Sequence, residues 1–146
     1  MEKISFDSGV KRYKINGTGV LCFNPGDPNV YARFLEAADK LQDVEKALVE
    51  EAKKLPEADG AGVVQLLNRA DKEMKQVLGW VFGECNDFDK ILGGVNLLAV
   101  ADNGQRVVTN LLEALQPVLV EGAERCANEK VGAAVQKAKA RRGEQS

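Results

Sequence analysis

The sequence predicts an α+β fold that is mostly α, with a small N-terminal antiparallel β-ribbon followed by three principal α-helices. Three observations predict it. Residues 4–23 alternate loosely and contain Asn16-Gly17, the dipeptide best able to supply two positive φ values to a tight hairpin turn. Two long segments after Pro28 carry apolar residues spaced alternately by four and three, which is a helical seam. Between them and the C-terminal third, Trp80 to Gly94 breaks that period with Gly83, Gly93 and Gly94 and reads as a packed corner.

Strands are expected over Lys3–Phe6, Lys11–Ile15 and Gly19–Phe23, with Tyr13, Ile15, Leu21 and Phe23 facing inward. So small a ribbon is marginal alone and requires a helix against one face or a partner strand along its edge. Asn24-Pro25-Gly26-Asp27-Pro28 then switches strand to helix. Proline holds its predecessor extended, Asp27 suits the N-cap, and Pro28 suits the first helical position, whose N–H has no partner.

The first helix, Asn29 to Leu55, carries Val30, Phe34, Ala37, Leu41, Val44 and Leu48 on one seam. Glu36 with Lys40 and Glu50 with Lys54 supply acid-then-base pairs four apart on its wet side. Pro56 stops it and Glu57–Gly60 makes the turn. The second helix, Ala61 to Phe82, repeats the spacing with Val63, Leu67, Ala70, Met74, Val77 and Val81, so the two form an antiparallel hairpin. The same seams would also serve a second copy of the chain, and a homo-oligomer stays open.

At the corner, Gly83 ends the second helix from the left-handed region, and Phe88, Ile91 and Leu92 recur at the spacing of a short helix closed by Gly93-Gly94. The long helices on either side fold back on each other, with Trp80, Phe82 and Phe88 beneath. Val95–Val100 is a brief extended piece or a loop. The third helix, Gln105 to about Arg142, contains Pro117, which removes a backbone donor and predicts a kink or break. Its basic end, Lys137 to Arg142, complements the helix dipole.

With 146 residues, 45% of them hydrophobic, the chain fits one domain: ribbon over 1–24, helical part over 28–142 and a flexible tail over 143–146. A net charge of −2 gives no broad field for polyanions, which disfavours nucleic acid. No run reaches the length of a membrane span, and the chain opens on Glu2 and Lys3 rather than a signal peptide. Cys22, Cys85 and Cys126 are read as buried reduced thiols. The absence of histidine removes Ser/His and Cys/His pairs, and no cysteines are spaced to chelate a metal. No Walker or Rossmann glycine pattern occurs. The expectation is a protein that is not an enzyme, with no cofactor and no metal.

Several short motifs together resemble a known group. Asn24-Pro25-Gly26-Asp27-Pro28 with Tyr31, Arg33 and Phe34 comes first, followed by Val81-Phe82-Gly83-Glu84 and by Ile91-Leu92-Gly93-Gly94-Val95-Asn96. Asn103-Gly104 leading to Leu115-Gln116-Pro117 completes the order. This set is similar to small proteins from the tail-gene region of phages and prophages of Gram-positive bacteria, described as tail assembly chaperones. Cys85-Asn86 departs from the small residues that follow Phe-Gly-Glu in that group. The resemblance implies a strand-plus-helices fold without cofactor, acting in the host bacterial cytoplasm. The implied partner is the tape-measure or tail tube protein, which a chaperone would keep soluble until the tube polymerises. Trp80, Phe82, Phe88 and Pro117 are the candidate protein-interaction residues, because regular packing is interrupted there. Two other functions stay open. One is a phage-encoded antagonist of host defence that blocks a host protein or sequesters a nucleotide signal, with Lys11, Arg12, Lys14 or Arg106 near Trp80 as an anion site. The other is a minor structural tail protein.

Overall fold

The structure, a computed structural model, describes the backbone of residues 1–144 and the side chains of residues 1–129. In chain order the elements are β1 (Lys11–Ile15), β2 (Gly19–Phe23), α1 (Pro28–Lys53), α2 (Gly60–Phe82), α3 (Phe88–Ile91) and α4 (Val107–Glu144). Mostly helical with a small β part, this is the expected class.

β1 and β2 pair antiparallel with Tyr13 opposite Leu21. Asn16 and Gly17 both take positive φ, 51° and 82°, and the Thr18 N–H donates to the Ile15 carbonyl at 3.4 Å. Leu21 and Phe23 are buried, and Tyr13 and Ile15 pack half-buried beside them. The strand expected over Lys3–Phe6 does not form: Ile4 is 92% exposed and Phe6 81%. Its root explains why. Asn24 Nδ2 donates to the Ser8 carbonyl at 3.0 Å and the Gly9 N–H donates to Asp7 Oδ1 at 2.8 Å. Asp7–Gly9 is thereby tied beside the end of β2 instead of reversing onto β1.

Asp27 caps α1, its carboxylate accepting from the Asn29 N–H at 2.9 Å with Pro28 at the first position. Val30, Ala37 and Leu41 are buried, and Phe34, Val44 and Leu48 are half-buried in the same core. Asp59 caps α2 through the Gly62 N–H at 2.8 Å, so the hairpin forms as the periodicity implies and the α1 seam is consumed within the chain. The buried stripe of α2 differs from its seam. Leu66 and Leu78 are buried outside the expected set, while Val63 is exposed. α2 touches α1 on one side and α3 on another, so its buried arc is broader than a two-helix seam. The wet-side pairs differ too: Glu50 meets Lys53 at 3.4 Å, and Lys40 sits over the Trp80 ring, 4.5 Å from its centroid.

At the corner the Gly83 N–H donates to the Gly79 carbonyl at 2.8 Å, with φ 113° and ψ 140°. Its φ is positive as expected. Its ψ lies outside the left-handed helical basin, in a region still closer to glycine-only. Phe82 and Phe88 are buried; the Phe82 ring meets Phe23 edge-on at 4.9 Å and Phe88 at 5.8 Å. Trp80 does not lie under the corner, being 40% exposed.

Residues 95–100 form a loop with Leu97 and Leu98 buried and one isolated bridge, Val100 to Arg106. α4 runs through Pro117 as one helix, so of the expected kink or break the break does not occur. Pro117 faces solvent with Glu113 one turn earlier, so water can satisfy the carbonyl left without a donor. α4 folds back onto α1 rather than α2, and Leu111, Leu115 and Leu119 join the core. Gly122 permits close docking: a Cβ there would stand 1.9 Å from the Pro25 carbonyl oxygen. The helix continues to Glu144, into the expected tail, whose last two residues lie outside the described ones, as do the side chains of the basic end. Cys85 is exposed and Cys22 and Cys126 are half-buried, so the expected buried thiols are not found. Among the described residues no helix is long and apolar enough to cross a membrane.

Gly83→Val is expected to lower the unfolding free energy by about 1–3 kcal/mol, because a β-branched residue resists this φ. Urea denaturation followed by circular dichroism measures it; an unchanged midpoint would show that the corner tolerates a different backbone.

Candidate functional site

Asn86 fixes the corner to the ribbon. Its Oδ1 accepts from the Cys22 N–H at 2.9 Å, while Nδ2 donates to the Cys22 carbonyl at 2.9 Å and to the Phe82 carbonyl at 3.0 Å. The carboxamide thus pairs with β2 as a neighbouring strand would and closes the last turn of α2. In an antiparallel pair, residues alternate between bonding each other and pointing outward. Cys22 points outward, and Asn86 takes up the groups it presents on that edge.

An ion triad, buried at Asp71 and Lys75 and open to water at Asp89, lies between the adjoining face of α2 and α3. Lys75 Nζ donates to Asp71 Oδ2 at 2.8 Å and to Asp89 Oδ1 at 2.7 Å, with the Lys75 side chain only 7% exposed. Asp71 Oδ1 accepts from the Leu97 N–H at 2.8 Å, which attaches the 95–100 loop to α2. Asn96 Nδ2 adds a bond to the Leu67 carbonyl at 3.3 Å, and the Val107 and Val108 N–H groups donate to Ala99 and Leu97 at 2.9 Å. Burial pulls the Lys75 pKa down, but its hydrogen bonds to Asp71 and Asp89 and their charges outweigh that and leave it above the ordinary lysine value. The hydrogen bond and charge of Lys75 hold Asp89 below the usual carboxylate range.

These ties leave an open groove of about 1440 Å³ beside α2. One wall is the α2 face from Val64 through Asn68 and Lys72 to Trp80; the other is the corner and the loop ending at Arg106. Val64 and Trp80 are sixteen helical steps of about 1.5 Å apart, so the groove is about 24 Å long. Phe88 and Leu98 reach it from the core, and Val64, Trp80 and Val100 stand exposed along it, at 63, 40 and 64%.

Of the residues singled out from the sequence, Trp80 and Phe88 therefore meet in one groove. Phe82 lies behind it in the core, and Pro117 stands on the solvent face of α4, outside the lining. Arg106 shares the groove with Trp80, but its guanidinium donates to the Leu98 carbonyl; Lys11, Arg12 and Lys14 stand exposed on β1, outside it. Sequence reasoning missed Asn86 and the triad. Asp71 and Lys75 carried a signal, being an acid-then-base pair four apart, each one position beyond the seam residues Ala70 and Met74. Comparison with sequence-family models, curated proteins and solved structures finds no match for this chain.

Lys75→Met is expected to cost about 2 kcal/mol at pH 7, less than a fully enclosed pair because Asp89 opens to water. Asp89→Asn should cost less than Lys75→Met. The sign with pH follows from the shifts. The Asp89 contribution is present above its unfolded pKa of about 3.9 and is lost as pH falls through its lower folded value. The Lys75 contribution is present below about 10.4 and is lost as pH rises through its higher folded value. Urea midpoints from pH 2 to 11 measure both. A Lys75→Met protein matching wild type at neutral pH would show that the triad contributes nothing net.

Proposed function

We propose that the chain is a non-catalytic tail assembly chaperone, working in the host cytoplasm, whose α2 groove holds a helical segment of the tape-measure protein. The observation that carries this reading is the groove itself, open along four to five turns of helix with Trp80 unburied on its wall. Exposed aromatic residues are expensive to leave in water and are the usual anchors of a partner helix. Val64, Trp80 and Val100 supply exposed apolar surface along it, and Asp89, the open member of the triad, offers charge to a partner's polar flank. The resemblance of the Phe-Gly-Glu and Gly-Gly-Val-Asn motifs to tail assembly chaperones supports a tape-measure or tail tube protein as the partner. A nucleotide-sequestering role draws less support, because Lys75 and Arg106, two of the three cations lining the groove, already donate to groups of the chain.

Co-expression with the tape-measure protein, followed by pull-down, tests this. Wild type should retain the partner, and Trp80→Ala, folded by circular dichroism, should lose at least roughly thirtyfold in affinity, the effect of a central anchor. Full retention by a folded Trp80→Ala protein would place the binding surface elsewhere. Recovery of the chain in purified virions would favour a structural tail subunit instead.

A further inference from the structure

The residues before β1 are an arm whose apolar side chains stand uncovered among the described residues. Met1, Ile4, Phe6 and Val10 are 120, 92, 81 and 55% exposed, and residues 1–6 form no strand. The arm's root is nevertheless built, since Asn24 holds the Ser8 carbonyl and also accepts from the Gly26 N–H at 2.8 Å. In an extended chain Ile4 and Phe6 share one face, and Lys3, Ser5 and Asp7 share the other. The second unpartnered apolar surface of the same chain is the α2 groove. Six extended residues span about 20 Å, matching its length of about 24 Å.

We propose that the arm of one copy lies in the α2 groove of a second copy, reciprocally, so that two arms hold a dimer and cover both grooves. Area supports this occupant. Each arm would bury roughly 500 Å² on either side of its contact, so two reciprocal arms bury about 2,000 Å², as stable dimers do. Ile4 and Phe6, about 7 Å apart along the extended arm, enter against Trp80, and the arm runs on along the α2 wall toward Val64, while Lys3, Ser5 and Asp7 stay in water. A two-fold exchange closes on itself, so no filament is generated. The arm then acts as a removable cover that a client displaces; this last step rests on the groove being the client site proposed above, whereas the dimer does not.

Sedimentation velocity on the full chain, with Trp80 emission recorded in parallel, tests the proposal. Wild type should dimerise by about 100 µM, and the Trp80 emission should move to the blue as it does. Ile4→Asp/Phe6→Asp, which alters only exposed arm residues, should keep the helical signal and associate at least roughly tenfold more weakly. Val64→Asp, on the groove wall, should do the same. Mixing the two variants should restore a one-armed heterodimer, because one supplies a working groove and the other a working arm. Wild type that stays monomeric overturns the proposal, including the case in which its arm is protected from hydrogen exchange by its own groove. Arm variants that dimerise like wild type overturn it too. A dimer with this complementation that fails to retain tape-measure protein supports the exchange and removes the client reading.

Discussion

The structure depends on one planar group. The Asn86 carboxamide offers a donor and an acceptor 64 residues from the strand it completes, and its second N–H reaches back to the end of α2. No other short side chain substitutes fully: aspartate would set an acceptor against two carbonyls, and serine lacks the two-point reach. Each buried group left unpaired costs about 1–3 kcal/mol, so three bonds at one 5%-exposed residue fix the ribbon's position against the helices. A two-stranded ribbon has little stability of its own. Here its inner face rests on the Phe23–Phe82–Phe88 cluster and its outer edge is held by Asn86.

From that attachment the groove follows. With the corner held against β2, Asp89 stands where Lys75 can reach it, and Asp71, bonded to Lys75 through one oxygen, holds the Leu97 N–H with the other. Corner and loop are thereby fastened to α2 at polar points while the surface between them stays open. An apolar loop packed flat on α2 would have closed it. The ion triad contributes placement more than net stability, since desolvation offsets much of the attraction in a buried pair.

What was legible in the sequence is what local period and local punctuation encode. The ribbon strands Lys11–Ile15 and Gly19–Phe23, the Asp27-Pro28 helix start and the hairpin between Lys53 and Gly60 all follow from neighbours within a few residues. The failures are tertiary. Lys3–Phe6 alternates as a strand should, yet the root at Ser8 denies it an edge. Pro117 removes a donor, but on a solvent-facing turn that water can repair. Trp80 looked like core and stands on the groove wall, 40% exposed with Lys40 over its ring. Asn86 carried no local signal, since its partner is Cys22, and half of the candidate site therefore depended on a contact that only the folded chain reveals.

The most direct test of this account is native-state amide exchange on Asn86→Ala, read residue by residue against wild type. If the carboxamide holds ribbon and corner together, the Cys22 amide loses its protection and residues 11–23 and 84–92 open together, at a free energy well below that of the α1–α2 hairpin. Unchanged protection at Cys22 and along the ribbon would contradict the account, and would mean that the aromatic cluster alone holds the ribbon in place.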